Sequence, residues 1–294
     1  MPIGKAFSPF FLPLFYKYSS IGSSATLRFY GAGINILRGV SCIADVKPSN
    51  EVKLDFVFGM RQLNLPWLEE AISNILSISN CRGVNGVLDF SVESYLGFDI
   101  SVGSAILLSS LVAVNSALKL NVAPSIIADL SQRFELEWNV GSGTSLCQLL
   151  GGVVLLSESG ESNTILHKVF DFPSDLRIVV GGPKLNLLPI YTSRLIGNFT
   201  FNFNDLNSFD DLIEFSRIFN LHVAEKSKGA FKFIKALLNL NPLVAGLGFL
   251  GKSFYAITFR DDVKRIVDHF LDYFPCEGIF VSEVDPIGVR LYID

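Results

Sequence analysis

The sequence predicts an α+β protein, and three observations carry that expectation. Strands and helices intermix without the regular β-α-β-α order of a doubly wound sheet, the start of the chain is strand-like, and an apolar helix follows a loop of small residues. Residues 26–30 and 34–46 are rich in β-branched and aromatic side chains, and 52–59 alternate apolar with polar positions, which reads as strands. Pro66 offers an N1 proline to a helix through Trp67, Leu68, Ala71, Ile72 and Leu76. A strand at 86–92, the apolar helix at 104–118 and a helix opened by Pro124 come next. The second half gives strands at 153–156, 164–170 and 178–180, helices at 209–220 and 228–238, and a closing strand, helix and strands over 253–293. The polar run SESGESN at 157–163 is the candidate linker, dividing the chain into domains 1–160 and 161–294.

Nearly half of the 294 residues are apolar, enough to bury a sizeable core. With 24 Lys and Arg against 28 Asp and Glu, the net charge of -4 excludes a general attraction to nucleic acid or to an anionic membrane. Any phosphate must be held locally. Cys42, Cys81, Cys147 and Cys276 are scattered, without CxxC or a neighbouring His, and read as reduced core thiols. Pro9 and Pro13 interrupt the apolar run 10–16, so it does not read as a signal peptide, and 104–118 is too short to span a bilayer. Cytoplasmic residence is expected, with a small molecule as partner and a homodimer admitted as the assembly.

Four glycine-rich segments compete for a phosphate role. GLGFLGKS at 246–253 matches a P-loop pattern, but the residues after it alternate like a strand, whereas a P-loop must run into a helix. A turn entering a strand is expected there. Gly31-Ala32-Gly33 lacks the third glycine of a dinucleotide loop and reads as a tight turn or bulge. GFDISVGSA at 97–105 leads into the buried helix. It is either an ordinary Ser-capped start or a place where free N–H groups, a helix dipole and hydroxyls meet a phosphate. GSGT at 141–144 follows Glu135 and Glu137 and reads by itself as a helix-to-helix turn, with the two glutamates a solvated face.

In their shared order these segments resemble the archaeal pantoate kinases of the GHMP superfamily. FSPFFLP and GSSATLRFYGAGINILRGV match the opening of that family, GFDISVGSAI followed by LLSSLVAVN its phosphate loop and helix, and ELEWNVGSGTSLCQLLGG its acidic segment. PIYTSRLIG, EFSRIFN and GFLGKSFYAITF follow in order, so the similarity extends over nearly the whole chain. It implies a two-domain GHMP kinase-like fold, with an N-terminal nucleotide-binding domain like ribosomal protein S5 domain 2 and a ferredoxin-like C-terminal domain. It also implies ATP- and Mg²⁺-dependent phosphorylation of pantoate to 4-phosphopantoate for coenzyme A synthesis.

By position the resemblance assigns Gly97, Asp99, Ser101, Val102, Gly103, Ser104 and Ala105 to the nucleotide, and Ser101, Ser104 and Glu135 to Mg²⁺. Glu135, Thr144 and Ser104 fall at the catalytic centre, and Ser24, Arg28, Thr192 and Arg217 on the pantoate side. Two departures stand out: a family Asp falls on Thr144 and a family His on Gln132. Asp99 also brings a charge to a loop where glycine would admit phosphate. The alternatives are a non-catalytic paralogue that binds a metabolite or nucleotide, and a GHMP kinase with another substrate.

Overall fold

Two long strands, β1 (Ile3–Ser20) and β2 (Leu27–Ser49), run antiparallel along almost their whole length and set the frame of the first half. The computed structural model describes residues 3–20, 27–93, 98–138, 140–141, 143–158, 165–182, 206–226, 228–249 and 251–292. The strands expected at 26–30 and 34–46 are one, because Gly31 and Gly33 face a bulge instead of turning the chain. Pro13 pairs with Gly33 and Phe15 with Ala32, leaving Leu14 as the extra residue. Proline gives no N–H to a ladder, so a strand can bulge beside it. Gly31 has φ 149°, a value that side-chain-bearing residues rarely adopt. The proline-broken run 10–16 is thus a core strand, with Phe10, Phe11, Leu12, Leu14 and Phe15 fully buried.

β3 (Lys53–Phe58), β4 (Arg61–Leu63), α1 (Pro66–Ile78) and β5 (Gly83–Val92) follow, α1 being the crossover that makes β3 and β5 parallel. Next come α2 (Val102–Ala117), α3 (Pro124–Glu137), α4 (Ser145–Leu150), β6 (Val153–Glu158) and β7 (Ile165–Phe170). The first sheet has the order β12-β1-β2-β5-β3-β4, with β6 on the early part of β2 and β7 on β6. The apolar α2 packs on β1 and β2.

The second half contains β8 (Leu176–Gly181), α5 (Phe209–Ala224), α6 (Lys228–Leu238), β9 (Val244–Leu247), β10 (Phe254–Phe259), α7 (Val263–Leu271) and β11 (Ile279–Ser282). Its antiparallel sheet has the order β11-β8-β10-β9. β12 (Arg290–Leu291) then returns to the first sheet beside β1. Buried Asp285 fastens this return by accepting the Ile287 and Gly288 N–H groups and pairing with Arg290 at 2.6 Å. The division expected after residue 160 falls between β6 and β7, which pair with each other, so the polar run joins two strands of one sheet. The sheets part between Phe170 and Leu176.

The bulge in β1 is also where the halves meet. The Leu14 carbonyl accepts from Ser216 Oγ at 3.0 Å and Asn220 Nδ2 at 2.9 Å, and the Pro13 carbonyl accepts from the Tyr255 hydroxyl at 2.6 Å. Asn220 Oδ1 in turn accepts the Leu247 N–H at 3.1 Å. Tyr255→Phe leaves the buried Pro13 carbonyl without this donor and is expected to cost about 1–3 kcal/mol. Urea unfolding reads this as a lower midpoint at unchanged slope; an unmoved midpoint would show that the hydroxyl is dispensable.

The four cysteines are free, but only Cys42 and Cys147 are core thiols, which burial pushes up and makes inert; Cys81 is half-buried and Cys276 exposed. Among the described residues no helix is long and apolar enough to cross a membrane. The 246–253 stretch is a turn from β9 into β10, so the P-loop arrangement of strand, loop and helix is absent there.

Candidate active site

α2 starts at a sharp corner. Ser101, the residue before it, has a left-handed backbone (φ 61°, ψ 35°) and gives no side-chain cap. The Ala105 N–H to Ser101 carbonyl bond, 3.0 Å, opens the helical ladder, so the amides of Val102, Gly103 and Ser104 stand at the positive end of the helix dipole. No acidic residue lies in the first turn to offset that end. Ser101 Oγ is buried without a hydrogen-bond partner among the described residues. A polar atom of this kind at a helix start fits an oxygen-rich anion.

Glu135 approaches the same place from α3. That helix has Pro124 in its first turn and buries Ile127, Leu130, Ser131 and Phe134, and Glu135 shares their inward face. Its fully buried carboxylate accepts the Ser104 hydroxyl and the N–H groups of Gly143, at 2.6 Å, and Thr144, at 3.0 Å, on Oε2. Oε1 accepts the Ser145 hydroxyl. Burial pushes the carboxyl above the usual range, and the donors from Ser104, Ser145, Thr144 and Gly143 oppose that shift. Thr144 Oγ1 donates to Ser104 Oγ at 3.3 Å. The structure thus brings Ser104, Glu135 and Thr144 together from three elements. Ser145, for which no pattern suggested a role, joins them; the third hydroxyl in GSGTS was the available signal.

The turn between α3 and α4 makes this convergence possible. Gly143 adopts φ 75°, and Gln132 donates to the Gly143 carbonyl at 3.0 Å. A side chain at Gly141 would overlap Ser104 Oγ and reach within 2.7 Å of Glu135 Oε2. One at Gly103 would overlap the Val140 carbonyl oxygen. Gly103 therefore serves the close approach of α2 to this turn. Val102 and Ala105 point into the core.

Two further candidates have partners in the second half of the chain. Asp99 is turned to the 248–253 turn, its carboxylate accepting from Lys252 N–H and Ser253 N–H, each at 3.0 Å, and from the Ser253 hydroxyl. Arg217, expected on the pantoate side, donates from Nε to the Leu243 carbonyl at 2.5 Å and from an Nη to that of Pro242 at 3.1 Å, so it holds that turn. Gly97, Ser24 and Thr192 lie outside the described residues. Arg28 is described by its backbone, opposite Ser19 in the β1–β2 pair.

Among the described residues no group of three His, Cys, Asp or Glu could hold a metal. Ser104, Glu135 and Thr144 supply hard oxygen donors but one carboxylate only. Mg²⁺ is usually held by one or two carboxylates together with phosphate oxygens and water. This donor set fits a cation that arrives with a phosphate better than a resident metal.

No protein-family model matches the chain. A curated pantoate kinase from Methanospirillum hungatei is 26% identical over 266 residues, covering 86% of this chain and 85% of that protein. A solved structure described as a phosphotransferase related to the CoA biosynthesis pathway superposes with a TM-score of 0.79 at 15% identity, covering 99% of this chain and 98% of the other. The mevalonate diphosphate decarboxylase from Enterococcus faecalis, described with an ATP-binding mechanism mediated by mevalonate diphosphate, gives 0.70 at 12% identity and 99% coverage of both chains.

Proposed function

Starting from the fold of the GHMP kinases, we propose that this chain is an ATP-dependent small-molecule kinase whose acceptor is the 4-hydroxyl of pantoate. The observation that carries the reading is the cluster of Ser104, Glu135, Thr144 and Ser145 at the start of α2, beside the Ser101 hydroxyl, which has no partner among the described residues. The likeness to a curated pantoate kinase supports the choice of acceptor.

In this reading the Val102 to Ser104 amides and the Ser101 hydroxyl bind phosphate oxygens, and Ser104 with Glu135 holds Mg²⁺. The cation, when bound, neutralises charge on the phosphate oxygens. Glu135 is kept in place by the Gly143 and Thr144 amides, so the centre is organised before the nucleotide arrives. Phosphoryl transfer passes through a loose transition state, so positioning and electrostatics suffice where Thr144 replaces a family Asp. The nucleotide-binding unit in this reading is the first sheet with its helices, running through β7 and closed by β12.

ADP release should be measured with pantoate, homoserine, mevalonate and no acceptor. Release that depends on pantoate is the expected result. Turnover with another acceptor only would overturn the substrate. Nucleotide binding without turnover would favour a non-catalytic sensor, the second reading, which Thr144 supports because a hydroxyl already engaged with Ser104 brings no charge to the reaction.

Thr144→Asp sets a second carboxylate beside Glu135 in a fully buried cluster. Like charges so close resist joint ionisation, so a lower melting temperature and slower turnover are expected. A variant equal to the parent in both would put Thr144 outside the centre.

A further inference from the structure

The stretch 246–253 is not a P-loop, yet it does hold an anion. That anion belongs to the protein itself. Asp99 is 7% exposed and directs its carboxylate into the turn between β9 and β10. Oδ2 accepts the Lys252 N–H at 3.0 Å, and Oδ1 accepts the Ser253 N–H at 3.0 Å together with the Ser253 hydroxyl. The Asp99 carbonyl accepts the Phe249 N–H at 3.0 Å. Successive backbone N–H groups that converge with a hydroxyl make a concave cradle for an anion. Gly248 is part of it, because a side chain there would overlap Asp99 Oδ1 and Ser253 Oγ. The turn is braced from the first half as well, by the Tyr16 hydroxyl donating to the Phe249 carbonyl at 2.6 Å.

Asp99 stands two residues before Ser101, in the loop that leads into α2. The next residue, Ile100, accepts the Phe11 N–H at 3.2 Å, and Gln148 Nε2 reaches the Ser101 carbonyl at 3.4 Å. The loop is thus tied to β1, to α4 and, through Asp99, to the turn before β10. A carboxylate left loose here would repel phosphate. In the cradle its charge is met by two amides and a hydroxyl.

We propose that Asp99 is a positioning residue: it fills the anion cradle of the 248–253 turn and thereby fixes residues 99–104, coupling nucleotide affinity at α2 to the second sheet. Its ligand rests on the kinase reading; the latch itself does not.

Asp99→Gly, Asp99→Asn and Ser253→Ala should be compared with the parent by hydrogen exchange resolved to segments, by calorimetric titration with MgATP, and with added formate as the probe for the cradle. Asp99→Gly and Asp99→Asn are expected to exchange faster at both 98–105 and 248–253, and to bind MgATP about tenfold more weakly, since small misplacements of binding groups are costly. Ser253→Ala, which keeps the carboxylate and both amides, should shift both readouts in the same direction by less. Formate should slow exchange again in Asp99→Gly, where it can enter the cradle, and not in Asp99→Asn, where an amide side chain fills it. Parental exchange at 98–105 in Asp99→Gly, or in Ser253→Ala should the glycine variant not fold, overturns the latch. Exchange in Asp99→Gly that formate leaves unchanged overturns the cradle. Faster exchange with parental MgATP affinity overturns the coupling. A parent protein that binds no MgATP defeats the kinase reading and the coupling together, and the exchange and formate results still decide the latch.

Discussion

Glu135→Gln is expected to fold and to lose phosphoryl transfer by about 10²- to 10³-fold, the order seen when a preorganised electrostatic group is removed from an active site. Glutamine can keep one carbonyl oxygen where Oε2 accepts Ser104, Gly143 and Thr144. Its amide can face Ser145, whose hydroxyl accepts as well as donates. What disappears is the negative charge that would hold Mg²⁺. Glu135→Ala is less informative, because it strands the two buried amides at about 1–3 kcal/mol each and threatens the fold itself. ADP release at saturating ATP, beside a thermal melt, separates the two effects. Full turnover in a folded Glu135→Gln protein would remove Glu135 from the centre.

Gly103→Val is expected to cost about 3 kcal/mol or more, at the upper end of what overpacking does to a folded protein. The new Cβ would occupy the position of the Val140 carbonyl oxygen, so α2 and the turn after α3 would have to separate. The damage would not stop at the backbone. The Val140 N–H bonds to the Glu135 carbonyl at 3.0 Å, so moving that turn moves the carboxylate and weakens nucleotide binding through the fold. Urea unfolding measures the cost directly. A parental midpoint would show that the two segments are not in close approach.

Much of this was legible because the signals are local. Pro66 and Pro124 open α1 and α3 where N1 prolines should. The alternating pattern after residue 253 is that of a strand, which by itself excludes a P-loop, and β10 lies there. Local signals failed where pairing over long distances decides. The Gly31 and Gly33 pair reads equally as a turn or a bulge, and only the long pairing with β1 decides for the bulge and carries β2 through it. Residues 157–163 look like a linker because a polar run between two paired strands has the same composition as one between domains.

The site divides in the same way. Glu135 and Thr144 came from order along the chain, whereas their meeting with Ser104 depends on how α2 and α3 pack. The partner of Asp99 is 154 residues away, beyond the reach of any spacing rule. Arg217 was assigned by its position in the chain, but position does not reveal that the carbonyls of Pro242 and Leu243 engage its guanidinium.

The central claim is that the start of α2, with Glu135 beneath it, holds a nucleotide phosphate together with its cation. Calorimetric titration of ATP into the parent protein, with Mg²⁺ and then with a chelator, tests it most directly. One carboxylate among hydroxyls cannot complete the coordination of Mg²⁺ unaided, so each ligand should need the other: saturable heat with MgATP, much weaker binding of ATP alone, and none for Mg²⁺ alone. No heat with MgATP, or the same affinity with and without the cation, would contradict the account.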